Sequence, residues 1–435
     1  MIRFSIILLF FIAVDSQAQI DPLDIEIIRD QYGVPHIYAP TDAGVAYGLA
    51  WAHAEDDFQT IQLTMLSGKG MLGQYLGKSG ASVDYVVELL RCKEVVQEQW
   101  PLLSDDYKAL ISAYTEGINS YAQSHPDKVL LKGSFPVTVD EVLSAYVLSL
   151  AVISGADNVI RNLVKGDVEA VSDFMGEGSN AFAFSRKKTI DQQVYLNINS
   201  HQPLEGPTAW YEAHLISDEG WNALGGLFPG GATIFHGTNE DLGWAHTVNY
   251  PDKIDVFQLD MVEESSLKYK FDSEYETLEL EYIKIKIRIL FGLRITVKRP
   301  VYRSVYGPVI KNDSGYFAFD LGALHDLRAP EQWYRMNKAR NWKEFYEALQ
   351  MVALPGFNIV YADREDNIFY LGNAKIPIRS SSYDWDKTLP GNTSETLNRN
   401  FHPLEDLPQK LNPKSGYIFN TNNSAFSCTA SDENP

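Results

Sequence analysis

A serine in a glycine-rich string is the residue of this sequence best suited to covalent chemistry. Ser179 follows Gly176-Glu177-Gly178, where a helical pattern gives way to strands. A serine hydroxyl is a weak nucleophile at neutral pH and needs a base. Cutting the chain before Ser179 would free an α-amine, which titrates near ~7.7–8.0 and can act as that base. Taken alone the string is typical of a turn, and its place before a strand favours a nucleophile.

No other common motif accompanies this serine. The sequence contains no GxxxxGK[ST], no GxGxxG in a βαβ setting, no HExxH, no paired CxxC and no GxSxG. It therefore lacks the usual motifs of nucleotide binding, of a structural zinc site and of the nucleophile elbow of α/β-hydrolases. The formal charge of −20 argues against a nucleic-acid partner or an anionic membrane, because both need basic surfaces. With 45% hydrophobic and 22% charged residues, the composition is that of a globular protein.

Helices at the front of the chain and strands in its body would position the serine. Residues 24–39 alternate apolar and polar side chains around Tyr32-Gly33, which predicts two short strands. From about 41 to 171 apolar residues recur three and four apart, which indicates helices. After the serine, short apolar runs such as Gly243–Val248 predict strands, and helix returns at 329–350. This order predicts an α+β fold.

The N-terminus has the pattern of a secretory signal peptide. Arg3 precedes an apolar run over 4–14, and Ser16-Gln17-Ala18 supplies small residues for cleavage, so residues 1–18 are predicted to be removed on export. The run is too short to span a bilayer and no later stretch is long enough. The sequence thus predicts a secreted or periplasmic protein without a membrane anchor. Two cysteines are too few for a disulfide scaffold.

Two motifs near the start of the mature chain carry a family resemblance. They are Ile28-Arg29-Asp30-Gln31-Tyr32-Gly33-Val34-Pro35-His36-Ile37 and Tyr47-Gly48-Leu49-Ala50-Trp51-Ala52-His53-Ala54-Glu55-Asp56-Asp57, the second with Asp57 where the family usually has arginine. With Ser179 they resemble the penicillin acylase family of N-terminal-nucleophile hydrolases, which includes acyl-homoserine-lactone and cyclic-lipopeptide acylases. The resemblance runs from about residue 24 to 432. It implies an αββα sandwich with a largely helical N-terminal segment.

The resemblance also implies how the precursor is divided. Residues 19–160 would form a helical α-chain-like segment, 161–178 a spacer, and 179–435 the catalytic β-chain-like part, incomplete at its C-terminus. Autocatalytic cleavage between Gly178 and Ser179 would leave an α/β heterodimer from one precursor. Members of this family run further than the present sequence, so a truncated and inactive family member is an alternative.

Four residues match the family's site. Ser179 matches the nucleophile, and His201, in Asn199-Ser200-His201-Gln202-Pro203, matches a residue that steadies its amine. Val248 matches the residue whose backbone N–H is one oxyanion donor, and Asn422 matches the asparagine whose side-chain amide is the other. Each has an ordinary alternative, because His201 and Asn422 both lie in turn-rich runs and Val248 in a predicted strand.

A structural calcium ion is a weaker expectation. Asp252, Asp255 and Asp432 could supply hard oxygen ligands where some family members hold calcium. Aspartates in loops are usually only solvated, and Lys253 stands between the first two. The chemistry itself requires no cofactor.

The resemblance implies a small-molecule N-acyl amide as substrate. His201 favours acyl-homoserine lactones or lipopeptides, and a penicillin or cephalosporin amidase is the alternative. Phe182, Trp210, Leu224 and Phe235 are candidates for an apolar acyl pocket, although core packing would explain them equally.

Overall fold

The computed structural model describes residues 20–167, 178–263, 266–397 and 399–435. Its α-helices are α1 (Asp42–Gly68), α2 (Gly73–Leu76), α3 (Lys78–Leu89), α4 (Cys92–Gln99), α5 (Asp105–Ser124), α6 (Val139–Ile153), α7 (Ala156–Lys165), α8 (Ala329–Lys338) and α9 (Trp342–Leu349). Its strands are β1 (Glu26–Arg29), β2 (Pro35–Ala39), β3 (Ser179–Phe184), β4 (Tyr195–Ser200), β5 (Tyr211–Ser217), β6 (Asn222–Leu227), β7 (His236–Asn239), β8 (Leu242–Thr247), β9 (Ile254–Gln258), β10 (Lys268–Phe271), β11 (Glu274–Thr277), β12 (Glu279–Arg288), β13 (Arg294–Ser304), β14 (Gly307–Asn312), β15 (Gly315–Leu321), β16 (Gly356–Asp363), β17 (Ile368–Ala374), β18 (Leu389–Pro390), β19 (Gln409–Leu411) and β20 (Tyr417–Asn420). The predicted signal peptide, 1–18, lies outside the described residues, as does most of the predicted spacer, 161–178.

The front of the chain forms a hairpin and a group of packed helices. Strands β1 and β2 pair antiparallel on either side of Gly33, whose φ of +85° suits the turn. Helix α1 then packs along α5. A Cβ on Gly117 of α5 would lie 2.5 Å from the Tyr47 carbonyl oxygen, so this glycine allows the two helices to approach closely.

Two sheets of the strand-rich body pack face to face. The larger has the order β1-β2-β5-β6-β7-β8-β16-β17-β19, and the smaller has the order β20-β3-β4. Small and branched apolar side chains fill the space between them, including Ala181, Ala183, Ala245, Val360 and Ile418. Strand β3, which begins with Ser179, therefore contacts β8 and β16 of the larger sheet.

Helices cover the opposite face of the larger sheet. One apolar core joins Ile61 and Tyr114 of the front helices and Trp333 of α8 to Trp244 and Ile359 of the sheet. A separate sheet, in the order β12-β13-β14-β15-β9-β18, extends the body. The helix–sheet–sheet layering confirms the predicted α+β class.

Most predicted elements are present, and their breaks lie at identifiable residues. Within the region predicted as helical, 41–171, the apolar pattern runs on through 140–164, but Gly155 at φ +102° separates α6 from α7 there. The predicted helix at 329–350 divides into α8 and α9, and Asn341 caps the second by accepting the Glu344 N–H. The predicted strand Gly243–Val248 ends at Thr247, so placing Val248 in a strand was wrong by one residue.

In the part of the chain that the structure describes, no single helix is long and apolar enough to cross a membrane, although α6 and α7 together, bent by 69°, meet the length and composition criteria. Cys92 and Cys428 are both buried and both free.

Candidate active site

Ser179 begins strand β3 and is almost buried, with 5% of its surface exposed. Its backbone N–H donates to Asn422 Oδ1 at 2.7 Å, and its Oγ donates to the Gly178 carbonyl oxygen at 2.7 Å. The His201 backbone N–H donates to the same carbonyl oxygen at 3.1 Å. The Gly178–Ser179 peptide is therefore held at both its nitrogen and its oxygen, with the hydroxyl beside the carbonyl group.

Residue 178 has to be a glycine for these contacts to form. A Cβ at this position would lie 2.4 Å from Asn422 Oδ1 and 3.3 Å from His201 Nδ1. Because 2.4 Å is far below a van der Waals contact, any side chain would displace the asparagine that accepts the Ser179 N–H.

A buried chain of hydrogen bonds fixes Asn422. The residue has φ +66°, a left-handed conformation that asparagine tolerates better than most residues. The Asn422 backbone N–H donates to Asn420 Oδ1 at 2.9 Å. The same Asn420 oxygen also accepts from Thr247 Oγ1 at 2.6 Å and from Asn358 Nδ2 at 3.1 Å. The Tyr370 hydroxyl donates to Asn358 Oδ1 at 2.7 Å. All four partners are buried, where such a network is stronger than in water.

Val248 lies half-buried just beyond the end of β8. Its carbonyl oxygen accepts from Asn422 Nδ2 and from Asn358 Nδ2, both at 3.0 Å. The end of β8 is thereby tied to the same asparagine that holds the Ser179 nitrogen.

The His201 ring is exposed and lies beside the Gly178–Ser179 peptide. Its Nε2 lies 3.1 Å from Asn180 Nδ2 and 3.3 Å from Asn199 Nδ2. With both amide groups oriented in this way, Nε2 is the acceptor of the two contacts. No hydrogen bond joins the ring to the Ser179 nitrogen in the uncut chain; the contact with Gly178 comes from the His201 backbone.

A cavity of about 250 Å³ opens in front of Ser179. It continues into an apolar cavity of about 390 Å³, here called the acyl extension, which shares Val152, Ile153, Thr208, Phe228 and Phe235 with it. Trp210 and Phe235 line the first cavity as predicted, whereas Phe182 and Leu224 line neither.

Two ionisable side chains on the cavity wall are affected by burial. His246 Nε2 accepts the Trp333 indole N–H at 2.9 Å. Burial, with a further contribution from His236, lowers the His246 pKa to about 3, so its ring is neutral. Burial also lowers the pKa of the Lys253 ammonium to about 8.

Comparison with known protein families matches the sequence of this chain to one of them. The family model described as penicillin amidase matches residues 24–434, nearly the whole described chain. The chain belongs to the penicillin amidase family.

Two curated relatives and one solved structure illustrate the membership. The acyl-homoserine lactone acylase PvdQ of Pseudomonas syringae pv. syringae (strain B728a) is 24% identical over 415 residues, covering 85% of this chain and 53% of that protein. The penicillin acylase 2 proenzyme of Pseudomonas sp. (strain SE83) is 24% identical over 464 residues, covering 92% of this chain and 58% of that protein. The chain thus spans little more than half the length of these relatives. A thermostable penicillin G acylase from Alcaligenes faecalis shares the fold, with a TM-score of 0.50 at 24% identity over 57% of this chain and 44% of the other.

The structure brings together the residues that this penicillin amidase family member was predicted to use. His201 and Asn422 contact the Gly178–Ser179 peptide, and Val248 is linked to it through Asn422. Ser179 and Asn422 are hydrogen-bonded although 243 positions separate them. In the uncut chain Asn422 accepts the Ser179 N–H and donates to a carbonyl group. The predicted roles of these five residues stay predictions.

The predicted calcium ligands form a different arrangement. Arg379 donates to Asp252 Oδ2 through Nη1 and to Asp255 Oδ1 through Nη2, both at 2.7 Å. A guanidinium group thus lies between the two carboxylates, and Asp432 is exposed near the C-terminus. Among the described residues, no group of three or more His, Cys, Asp or Glu side chains could hold a metal ion. These positions do not fit a calcium ion bound by Asp252, Asp255 and Asp432.

Several polar residues of the site were not predicted from the sequence. Asn358 lies in strand β16, a run of buried residues, where an amide side chain signals an internal hydrogen-bond network. Asn180 and Asn199 flank the His201 ring from paired positions on β3 and β4. Lys253 was noted only as an obstacle to calcium, yet its side chain lines the cavity.

Proposed function

We propose that this chain is an exported amidohydrolase precursor that cuts itself between Gly178 and Ser179 and then uses Ser179 to hydrolyse N-acyl amides. The observation that carries the proposal is the hydrogen bonding of that peptide: Ser179 Oγ lies 2.7 Å from the Gly178 carbonyl oxygen, and Asn422 Oδ1 accepts the Ser179 N–H. Membership of the penicillin amidase family supports amide hydrolysis as the reaction.

Maturation requires an acyl shift within one peptide unit. Ser179 Oγ adds to the Gly178 carbonyl carbon, and its proton passes to the Ser179 nitrogen as the C–N bond breaks. The His201 backbone N–H stabilises the negative charge that develops on the carbonyl oxygen. Water then hydrolyses the resulting ester, which leaves a carboxylate on Gly178 and a free α-amine on Ser179.

Catalysis repeats this chemistry on the substrate. The neutral Ser179 amine takes the Oγ proton, directly or through a water, as Oγ adds to the acyl carbonyl carbon. The Val248 N–H and the Asn422 side-chain amide donate to the oxyanion, the substrate amine leaves with a proton, and water releases the acid. Water is the second reactant in this scheme, every catalytic group belongs to the chain, and the His201 ring orients the amine.

The acyl group is assigned to the acyl extension. Its wall combines helical residues such as Leu63, Val142 and Leu148 with Phe228 and Phe235 of the body, which suits an aliphatic chain. The helical segment before Gly178 and the strand-rich body after it share one apolar core. The two chains produced by cleavage are therefore expected to stay associated. The likeness to the penicillin acylase 2 proenzyme supports the alternative of a penicillin or cephalosporin amidase.

Intact mass spectrometry of purified protein tests the cleavage. Wild-type protein is expected as two chains, the second beginning at Ser179, and Ser179→Ala as a single chain without hydrolytic activity. Ser185→Ala is the matched control, because Ser185 is equally buried just after β3 and donates to the Gly416 carbonyl oxygen instead. Cleavage in Ser179→Ala, or a lasting single chain in the wild type, would contradict the proposal.

Rates on two amides separate the candidate substrate classes. N-dodecanoyl homoserine lactone carries a long aliphatic acyl group, whereas a phenylacetyl amide carries a short aromatic one. Faster hydrolysis of the first is expected from the volume of about 390 Å³ and the apolar lining of the acyl extension. The reverse order would favour the penicillin amidase alternative.

A further inference from the structure

Two polar groups on the wall of the Ser179 cavity have no partner in the described protein. Lys253 lines the cavity, and no described carboxylate lies within 4.0 Å of its Nζ. The neighbouring Asp252 and Asp255 are both engaged by Arg379. Asn249 is 9% exposed, lines the same cavity, and its Oδ1 receives no hydrogen bond.

The orientation of the Asn249 amide is fixed. Its Nδ2 donates to the Asn373 carbonyl oxygen at 2.6 Å. Exchanging Oδ1 and Nδ2 would place two oxygens in contact, so Oδ1 is an acceptor that needs a donor. An unmade hydrogen bond at a buried acceptor is unfavourable, as is a partly desolvated ammonium group without a counter-charge.

The acceptor and the cation converge on one glycine. A Cβ on Gly356 would lie 2.6 Å from Lys253 Nζ and 3.1 Å from Asn249 Oδ1. Both atoms therefore surround the same point, and only a glycine leaves that point open.

We propose that Asn249 and Lys253 bind the amine half of the substrate, and that this half is an amino acid. Asn249 Oδ1 accepts the scissile amide N–H, and the Lys253 ammonium pairs with the α-carboxylate. One carbon separates the N–H from the carboxylate in an N-acyl amino acid, which matches an acceptor and a cation placed around Gly356. This inference rests on the proposed function and specifies its leaving group.

The acyl half is a poorer match for Lys253. The residues that line the acyl extension include no Lys, Arg, Asp or Glu, and Lys253 is absent from them. A carboxylate bound by Lys253 therefore lies on the other side of the scissile bond. A homoserine lactone is uncharged in its amine half, so the ring-opened N-acyl homoserine is the better ligand of the two.

Binding of two inert probes to the mature protein tests this assignment without turnover. 4-Oxopentadecanoic acid is N-dodecanoylglycine with CH₂ in place of NH, and its primary amide is the uncharged match. We expect calorimetry to show the acid binding at least about tenfold more tightly than the amide, as for a desolvated charge pair. Lys253→Met should remove this preference, while Lys132→Met, at an exposed lysine, should retain it.

Equal binding of acid and amide by the wild type, binding of neither, or an unchanged preference in Lys253→Met would overturn the inference. Hydrolysis of N-dodecanoylglycine and N-dodecanoylglycinamide distinguishes this failure from failure of the proposed function. Equal hydrolysis of both without a binding preference refutes only the leaving-group assignment. A Lys253-dependent preference in binding without hydrolysis of either supports the carboxylate site and refutes the proposed function.

Discussion

The strand-rich body and the helical segment face the cavity with different kinds of side chain. The body presents Ser179 and Asn249, which are held by hydrogen bonds, and Lys253, whose ammonium lies beside Gly356. The helical segment presents mainly apolar side chains such as Val152 and Ile153 at the end of α6, which define only shape and area.

This difference predicts different responses to mutation. Hydrogen-bonded groups act at defined distances, so removing one changes the rate of the chemical step. Apolar walls act through volume and contact area, so changing one shifts preference among acyl chains by smaller steps. Substitutions of Ser179 and Asn422, which are proposed to act on the reacting carbonyl group, should therefore affect kcat on all substrates. The effect of substitutions in α6 should depend on acyl length.

Among these substitutions, Asn422→Gly in the body is expected to lower kcat most. Glycine accepts the φ of +66° without strain, so the change removes the side-chain amide, with its contacts to the Ser179 N–H and the Val248 carbonyl oxygen, and leaves the backbone unstrained. Loss of one oxyanion donor is expected to lower kcat by ~10²–10³ on every substrate. Asn412→Gly is the control, since Asn412 also has a positive φ, +48°, and lies at the far end of β19 outside the cavity. An unchanged kcat would remove Asn422 from the mechanism.

Arg379→Met tests whether a guanidinium group, rather than a metal ion, holds the loop beside Lys253. The change leaves Asp252 and buried Asp255 without their cation, which should lower the free energy of unfolding by about 3 kcal/mol. Arg364→Met is the control, because Arg364 is largely exposed in its pair with Asp241 and should contribute less than about 1 kcal/mol. Denaturant unfolding measures both. In the wild type, removal of calcium with EDTA should leave stability unchanged, and a marked loss would restore the calcium hypothesis.

Ser149→Phe tests the helical wall. Ser149 lies on α6 and lines the acyl extension, so a phenyl ring there shortens the space for an acyl chain. We expect kcat/KM to fall about tenfold for a dodecanoyl amide and to change little for a butanoyl amide. An equal fall for both would mean that the acyl chain lies elsewhere.

The α+β class predicted from the sequence is confirmed, because the change from helical to strand periodicity depends on neighbouring residues. The resemblance to a family implied the grouping of Ser179, His201, Val248 and Asn422. The structure places these residues close together, and their roles stay predictions. Element boundaries were less accurate: Gly155 and Asn341 divide stretches whose apolar pattern is continuous.

Contacts between residues that are far apart in the sequence and lie outside the family motifs could not be predicted from periodicity. Asp252 pairs with a guanidinium group 127 positions away, which pattern alone cannot indicate. The same pairing leaves Lys253 without a carboxylate, so its place in the cavity also depends on the folded chain. Asn358 belongs to a strand whose other residues look like ordinary core.

The account depends on a free α-amine on Ser179, and periodate detects that group directly. Periodate oxidises a serine only where its amine is free, and it converts that residue to a glyoxylyl group. We expect mature protein to show this mass change on the chain that begins at Ser179, together with complete loss of hydrolysis. Full activity after quantitative oxidation, or hydrolysis by protein that carries no such terminus, would contradict the account.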